Sequence, residues 1–204
     1  MAESIVQVTE GSGKKLHTNS YTVGANTVED EAMFLGPYPY ATYVAIATGV
    51  SGATANDHLI TLNAGASLKV RVHRITIMQS AVATTAAARA FSILRTTTAA
   101  PTGGTAITAA PFDTTDAAAG APARSIPATK GTEAAVLAAP VLVASQAIVA
   151  TATQALDRWE WRQSLNAKPI IIPAGATNGI AVKNLTATAA VLYTLEIEFT
   201  ETAF

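Results

Sequence analysis

One stretch limits the fold of this chain more than any other. Val191, Tyr193, Leu195, Ile197 and Phe199 share one parity, while Leu192, Thr194, Glu196 and Glu198 share the other. Successive side chains of a β-strand point to opposite faces, so this period of two places five large apolar groups on a buried face and a mostly polar row on a wet one. Such a strand requires a second layer over its apolar side and neighbours for its backbone donors and acceptors.

Most of the remaining chain shares this pattern. Thr42 to Ala47 and Leu59 to Asn63 are short β-branched runs. Leu68, Val70 and Val72 alternate with Lys69, Arg71 and His73, but Ile75 and Ile77 fall on the opposite parity. A one-residue slip inside a strand predicts a β-bulge, because the extra residue exchanges the buried face. Phe91 and Ile93 alternate with Ser92 and Leu94. Trp159 and Trp161 share a face opposite Arg158, Glu160 and Arg162. Ile170 to Ile172 is a continuous apolar run, and Ile180 and Val182 alternate with Ala181 and Lys183. Turn chemistry separates these runs at Pro101-Thr102-Gly103-Gly104, Pro173-Ala174-Gly175 and Asn178-Gly179. Many short strands punctuated in this way predict an all-β fold, an antiparallel sandwich or barrel. The best helical rival is 132 to 156, where Leu137, Val141, Ala144 and Ile148 recur at helical spacing. Val141 and Val143 also alternate, and strand is the favoured reading there.

Two regions stand apart. Residues 1–40 have no sustained period and close on Gly36-Pro37-Tyr38-Pro39-Tyr40, whose Xaa-Pro steps favour extended backbone. They read as an extended N-terminal arm with one short strand around Ile5 to Val8, leaving 41–204 as the sandwich domain. Residues of about 97–135, rich in Thr, Ala, Gly and Pro, read as a long loop excursion with a short strand near Ala106 to Thr108.

Composition then excludes function classes. The net charge is −1 and charged residues make up only 13%, which argues against nucleic-acid binding through a basic face. The high apolar fraction argues against disorder. With no cysteine, a thiolate zinc site, a disulfide framework and a cysteine nucleophile are all out of reach. The N-terminus carries no basic region followed by an apolar run, so no secretory signal is expected. Residues 134–156 are uncharged, but Pro140, Gln146, Gln154 and the surrounding Ala and Thr make a membrane span unfavourable.

No motif supplies chemistry. Gly11-Ser12-Gly13-Lys14-Lys15 resembles half a phosphate loop, but Val8 occupies the place of the first glycine and Lys15 that of the hydroxyl residue. His17, His58 and His73 lack metal-pair spacing and read as polar surface residues. Asp113 and Asp116 flank Thr114-Thr115 in a pattern suited to a turn rather than to calcium. Glu196 and Glu198 read as solubilising or edge-protecting charges. Trp159 and Trp161 fit a core face better than a sugar platform. No catalytic, cofactor-binding or metal residues are assigned, and the chain is not expected to be an enzyme.

The bland composition has its own meaning. The chain holds 44 alanines and 29 threonines, and ordering alanine costs no side-chain entropy while ordering Lys or Arg costs about 2 kcal/mol. A surface made this way is easily covered by neighbouring subunits. Arg89 to Ala110 (RAFSILRTTTAAPTGGTAITAA), then Phe112-Asp113-Thr114-Thr115-Asp116, then the aromatic strand Arg158 to Arg162 and the final Glu198-Phe199-Thr200, resemble small virion proteins of tailed bacteriophages. The likeness spans about residues 65 to 200 and excludes the arm. It implies a jelly-roll-like β-sandwich on the particle exterior and no catalytic residues. The expected role is a structural virion protein, made in the host cytoplasm, that decorates or cements a capsid. It would act as a homo-oligomer, with a trimer favoured, against the major capsid protein or neighbouring virion subunits, with no nucleic acid, membrane or cofactor involved. Glu29, Asp30, Glu31, Pro37, Tyr38 and Tyr40 are the expected contact residues, since tyrosine buries large area at low entropy cost and proline keeps a segment extended. The alternatives are a carbohydrate-binding or adhesin module of a phage tail or fibre, and a tail-tube component.

Overall fold

The computed structural model describes residues 18–23, 26–31, 40–80, 88–143, 158–164, 167–187 and 191–202. The chain divides into two units, Met1–Pro39 and Tyr40–Phe204. In the first, strands β1 (Thr18–Val23) and β2 (Asn26–Glu31) form an antiparallel hairpin in which Thr18 faces Glu31 and Val23 faces Asn26. No sustained period marks this pair in the sequence: Tyr21, Val23 and Val28 are its only apolar side chains, too few to show an alternation. The strand expected around Ile5 to Val8 lies outside the described residues.

The second unit is all-β, two antiparallel sheets packed together, with no helix among the described residues. Its long strands are β3 (Thr42–Ser51), β4 (His58–Asn63), β5 (Lys69–Gln79) and β6 (Ala88–Thr97). A connection follows that carries the short strands β7 (Thr105–Ile107), β8 (Ala110–Pro111) and β9 (Ala123–Ser125). Then come β10 (Thr132–Ala138), β11 (Val141–Val143), β12 (Arg158–Arg162), β13 (Ile170–Ile172), β14 (Gly179–Asn184) and β15 (Leu192–Thr202). The first sheet runs β12-β5-β15-β3-β8, with β13 also on β5; the second runs β10-β6-β14-β4-β9-β7, with β11 also on β6. The contested segment from residue 132 onward is therefore strand through Val143.

The alternating segment lies at the centre of the first sheet. β15 pairs with β3 on one side and with β5 on the other. Val191, Tyr193, Leu195, Ile197 and Phe199 are all fully buried, while Leu192, Thr194, Glu196 and Glu198 are partly exposed. Within this sheet Phe199 stacks on its cross-strand neighbour Tyr43 at 5.5 Å, and across the interior Phe91 of the facing sheet meets Tyr193 edge-on at 5.2 Å. Each such ring contributes roughly 1.5–3 kcal/mol through burial.

The phase slip in β5 is a bulge. Glu198 lies opposite Arg74 and Phe199 opposite Val72, which leaves His73 as the extra residue. Val70, Val72, Ile75 and Ile77 consequently all reach the core. His73 holds the bulge: Nδ1 donates to Oε1 of Gln163 (2.8 Å) and Nε2 accepts the Thr200 hydroxyl (3.0 Å).

The excursion is ordered where it crosses the sheet edges. β8 pairs with the start of β3 at Tyr43 and Val44, and β9 extends the second sheet along β4 at Ile60 to Leu62. β7 then adds to β9. Gly104 permits this path, because it has φ +64° and a Cβ there would sit 2.3 Å from the carbonyl oxygens of Ser125 and Ile126. The Glu201 carboxylate accepts the backbone N–H groups of Gly120 (3.0 Å) and Ala121 (2.5 Å), and the Tyr43 hydroxyl donates to the Ala117 carbonyl.

At one end of the core lies a charge. Arg89 is fully buried; its Nη1 donates to Oε1 of Gln79 (2.8 Å), while Nε and Nη2 have no hydrogen-bond partner. The Tyr193 hydroxyl is also buried without a partner. Burial pushes this phenol up to about 12, with the positive charge of Arg89 pulling the other way. A guanidinium cannot shed its proton, and the neutral Gln79 amide offsets its desolvation only in part. Replacing Arg89 by Met, a side chain of similar length, is expected to raise the thermal midpoint, by up to about 4 kcal/mol of stability. Thermal denaturation followed by circular dichroism checks this, and a lower midpoint contradicts it.

Replacing Glu201 by Ala is expected to free the segment it pins. Amide hydrogen exchange at Gly120 and Ala121 should accelerate at least tenfold while β15 stays protected.

Candidate functional site

Polar groups gather in three places on the second unit. The outer face of the first sheet carries Arg74 among three carboxylates. Its Nε lies 3.0 Å from Glu198, with Glu196 at 3.9 Å and Glu160 at 4.0 Å. Glu160 also meets Arg158 and Arg162. Three arginines balance three glutamates, and every member is partly solvated. Pairs of this kind are worth about 0–1 kcal/mol each. β15 is an inner strand, so Glu196 and Glu198 guard no edge; they complete a neutral charge lattice instead.

The second place joins β4, β10 and β14. His58 is fully buried, and its Nε2 lies 3.1 Å from Oε1 of Glu133, whose other oxygen accepts Lys183 Nζ at 2.8 Å. The expectation of a surface histidine fails here. The first residue of a strand carries no parity signal of its own, and a bulge in β4 against β14 sets its direction. Desolvation lowers the His58 pKa from its ordinary 6.5, against the raising effect of Glu133. Neutral His58 donates from Nε2, and Nδ1 is left buried without a partner. At Glu133 burial works upward, but the hydrogen bonds and charges of Lys183 and His58 outweigh it and lower the pKa from 4.5. Nearby, Lys130 Nζ reaches the Asn56 carbonyl (2.8 Å) and Asp57 (3.1 Å).

The third place is a groove of about 450 Å³ between the free flank of β3 and β7. It is lined by Ile46 to Ser51, Thr105 to Thr108, Ser125 and Ile126, with no charged side chain among them. β8 covers β3 only at Tyr43 and Val44, and among the described residues nothing pairs with that flank from Ala45 to Ser51. Ile46 is 43% exposed beside it. β3 carries an extra residue at Thr48-Gly49 against Thr194, with Gly49 at φ +64°. Natural sheets guard open flanks with charge, proline or bulges; this one has the bulge alone. The only trace in the sequence is that absence of charge and proline.

The expected contact residues fall in both units of the chain. Glu29, Asp30 and Glu31 end β2 opposite Ser20, Asn19 and Thr18. Pro37 and Tyr38 lie outside the described residues, and Tyr40 opens the second unit half-buried. Trp159 and Trp161 are half-buried and pack against the core, with Arg158, Glu160 and Arg162 exposed on the other face. Rings committed to the core make a poor stacking platform for sugars. Asp113 builds a turn: its Oδ1 accepts the amide (2.9 Å) and hydroxyl (2.7 Å) of Thr115, which hold its carboxyl below the usual range. Among the described residues no group of three His, Cys, Asp or Glu is placed to hold a metal, and no helix is long and apolar enough to cross a membrane.

The chain matches no protein-family model, no curated protein and no solved structure.

The His58–Glu133 pair makes stability depend on pH. The unfolded chain takes up a proton near 6.5 that buried His58 refuses, so stability is complete above 6.5 and falls as pH drops below it. Glu133 adds a second loss as pH falls through 4.5. Melting curves across this range should show both, and His58→Gln should remove the upper one while leaving the lower.

Proposed function

We propose that this chain is a structural subunit of a tailed-phage virion that decorates or cements the capsid exterior as a homo-oligomer, with a trimer favoured. The observation that carries the reading is strand order. Eight principal strands in chain order, with β10 and β11 as the fifth and β12 and β13 as the sixth, lie 6-3-8-1 in one sheet and 5-4-7-2 in the other. That order supports the jelly-roll form of the sandwich, an architecture shared by viral capsid and lectin domains.

Two surface features support burial against neighbours. Exposed positions are dominated by short side chains, as at Thr102, Thr105, Ala106, Thr114, Thr115, Ala117, Ala118, Thr132, Ala134 and Ala135. Large apolar side chains also stand out at Phe112 (58%), Val136 (61%) and Val141 (53%). Val136 and Val141 belong to β10 and β11, which pair only with β6 and so form one margin of the second sheet. An apolar margin with little entropy to lose is suited to coverage by another subunit.

In this reading the N-terminal unit supplies contacts to the shell or to a neighbouring copy. Glu29, Asp30 and Glu31 bring charge to a chain otherwise poor in it, and Tyr38 and Tyr40 bring area. Deleting residues 1–40 should reduce occupancy on purified particles at least tenfold, measured by mass spectrometry and electron microscopy. Unchanged occupancy removes that unit from attachment, and absence of the intact protein from particles overturns the virion role.

A further inference from the structure

We propose that the groove between β3 and β7 is a strand-acceptor site, and that its occupant is the segment Ser4 to Thr9 of a neighbouring copy of this chain. The inference rests on the assembly reading only in that copies must meet; it does not need a capsid.

The receiving side has three properties. The flank of β3 from Ala45 to Ser51 has no ladder partner among the described residues. The space beside it, about 450 Å³, is lined without charge. Ile46, large and apolar, is 43% exposed at its rim. A whole second sandwich is too broad for a groove between two strands of one molecule. A single extended segment fits, and adding a strand to an open flank is an established route to main-chain affinity.

The occupant is chosen by charge and pattern. Ser4-Ile5-Val6-Gln7-Val8-Thr9 is uncharged and bounded by Glu3 and Glu10, so a neutral run ends at a charge on each side. Burying either glutamate in an uncharged groove would be costly, which limits the docked length to those six residues. Extended, they span about 20 Å, matching the six residues from Ile46 to Ser51. The run is rich in β-branched side chains and alternates, with Val6 and Val8 on one parity and Ile5, Gln7 and Thr9 on the other. Beside β3, the parity holding Val6 and Val8 would face inward with Ala47, and the parity holding Ile5, Gln7 and Thr9 would lie on the outward side with Ile46. The bulge at Thr48-Gly49 breaks the ladder once, so bonding falls on the residues before and after it.

The absence of cysteine makes a direct test simple. Full-length Val6→Cys and full-length Thr48→Cys chains are mixed and treated with a short bis-maleimide linker. The expected product is a dimer containing one chain of each kind, lost when unlabelled wild-type chain is added in excess. Two further full-length variants, Val6→Asp and Ile46→Asp, should each weaken self-association at least tenfold by light scattering. Neither should alter the β-sheet circular dichroism, because Ile46 is exposed. A monomer at all concentrations, a cross-link within single chains only, or association insensitive to both aspartates overturns the proposal. Particle occupancy reads separately: a cross-linked oligomer missing from particles sinks the virion role and leaves the acceptor groove standing, while particle-bound protein without the cross-link does the reverse.

Discussion

Everything in the second unit depends on the double ladder of β15. This strand fills the gap between β3 and β5, and without it the first sheet is two separate groups, β5 with β12 and β13 and β3 with β8, each with an unbonded inner edge. Its partners lie more than a hundred residues earlier in the chain. Closing so long a loop must precede any reward from pairing, which makes folding of this unit non-local and slow. The same strand carries Tyr193 and Phe199, whose rings meet Phe91 and Tyr43. Ladder and core are therefore formed together. Glu201, near its end, then ties down the long connection, so one strand organises both the interior and the surface path that shields the sheet flanks.

What could be read in the sequence follows from this arrangement. β15 is covered on one face and wet on the other, so burial imposed a strict alternation. The slip between Val72 and Ile75 was legible because a bulge must move the apolar set across the strand, and the parity of Trp159 and Trp161 was legible for the same reason. Of the short strands, β7 falls where one was expected near Ala106 to Thr108, but β8 and β9 left little trace, since two or three residues cannot display a period. The β1–β2 hairpin was missed because Tyr21, Val23 and Val28 are too few apolar residues to display a period. His58 was misjudged because it opens β4 beside a bulge, where no parity can be read from the sequence. The open groove is harder still to read: it is a lack of pairing, visible only once every neighbour has been placed.

Charge is used sparingly, and where it appears it is internally balanced. Arg74 sits within a neutral set of three arginines and three glutamates, Glu133 serves both His58 and Lys183, and Lys130 meets Asp57. Other charges meet neutral partners: Arg95 and Arg124 donate to backbone carbonyls, Glu201 accepts backbone amides, and Arg89, inside the core, has a glutamine as its hydrogen-bonded companion. Little net field leaves such a molecule, so long-range attraction contributes little to how it finds partners. Contact must come from shape, exposed apolar groups and backbone, which favours slow docking and lasting association over rapid exchange.

The turn from Phe112 to Ala118 has a practical consequence. It projects from a connection fastened behind it by Tyr43 and Glu201, and most of its residues are exposed. Foreign peptide grafted between Thr114 and Thr115 would extend an exposed turn whose base is tied down, leaving the buried ladders untouched. That turn is a natural mount for epitopes or affinity tags.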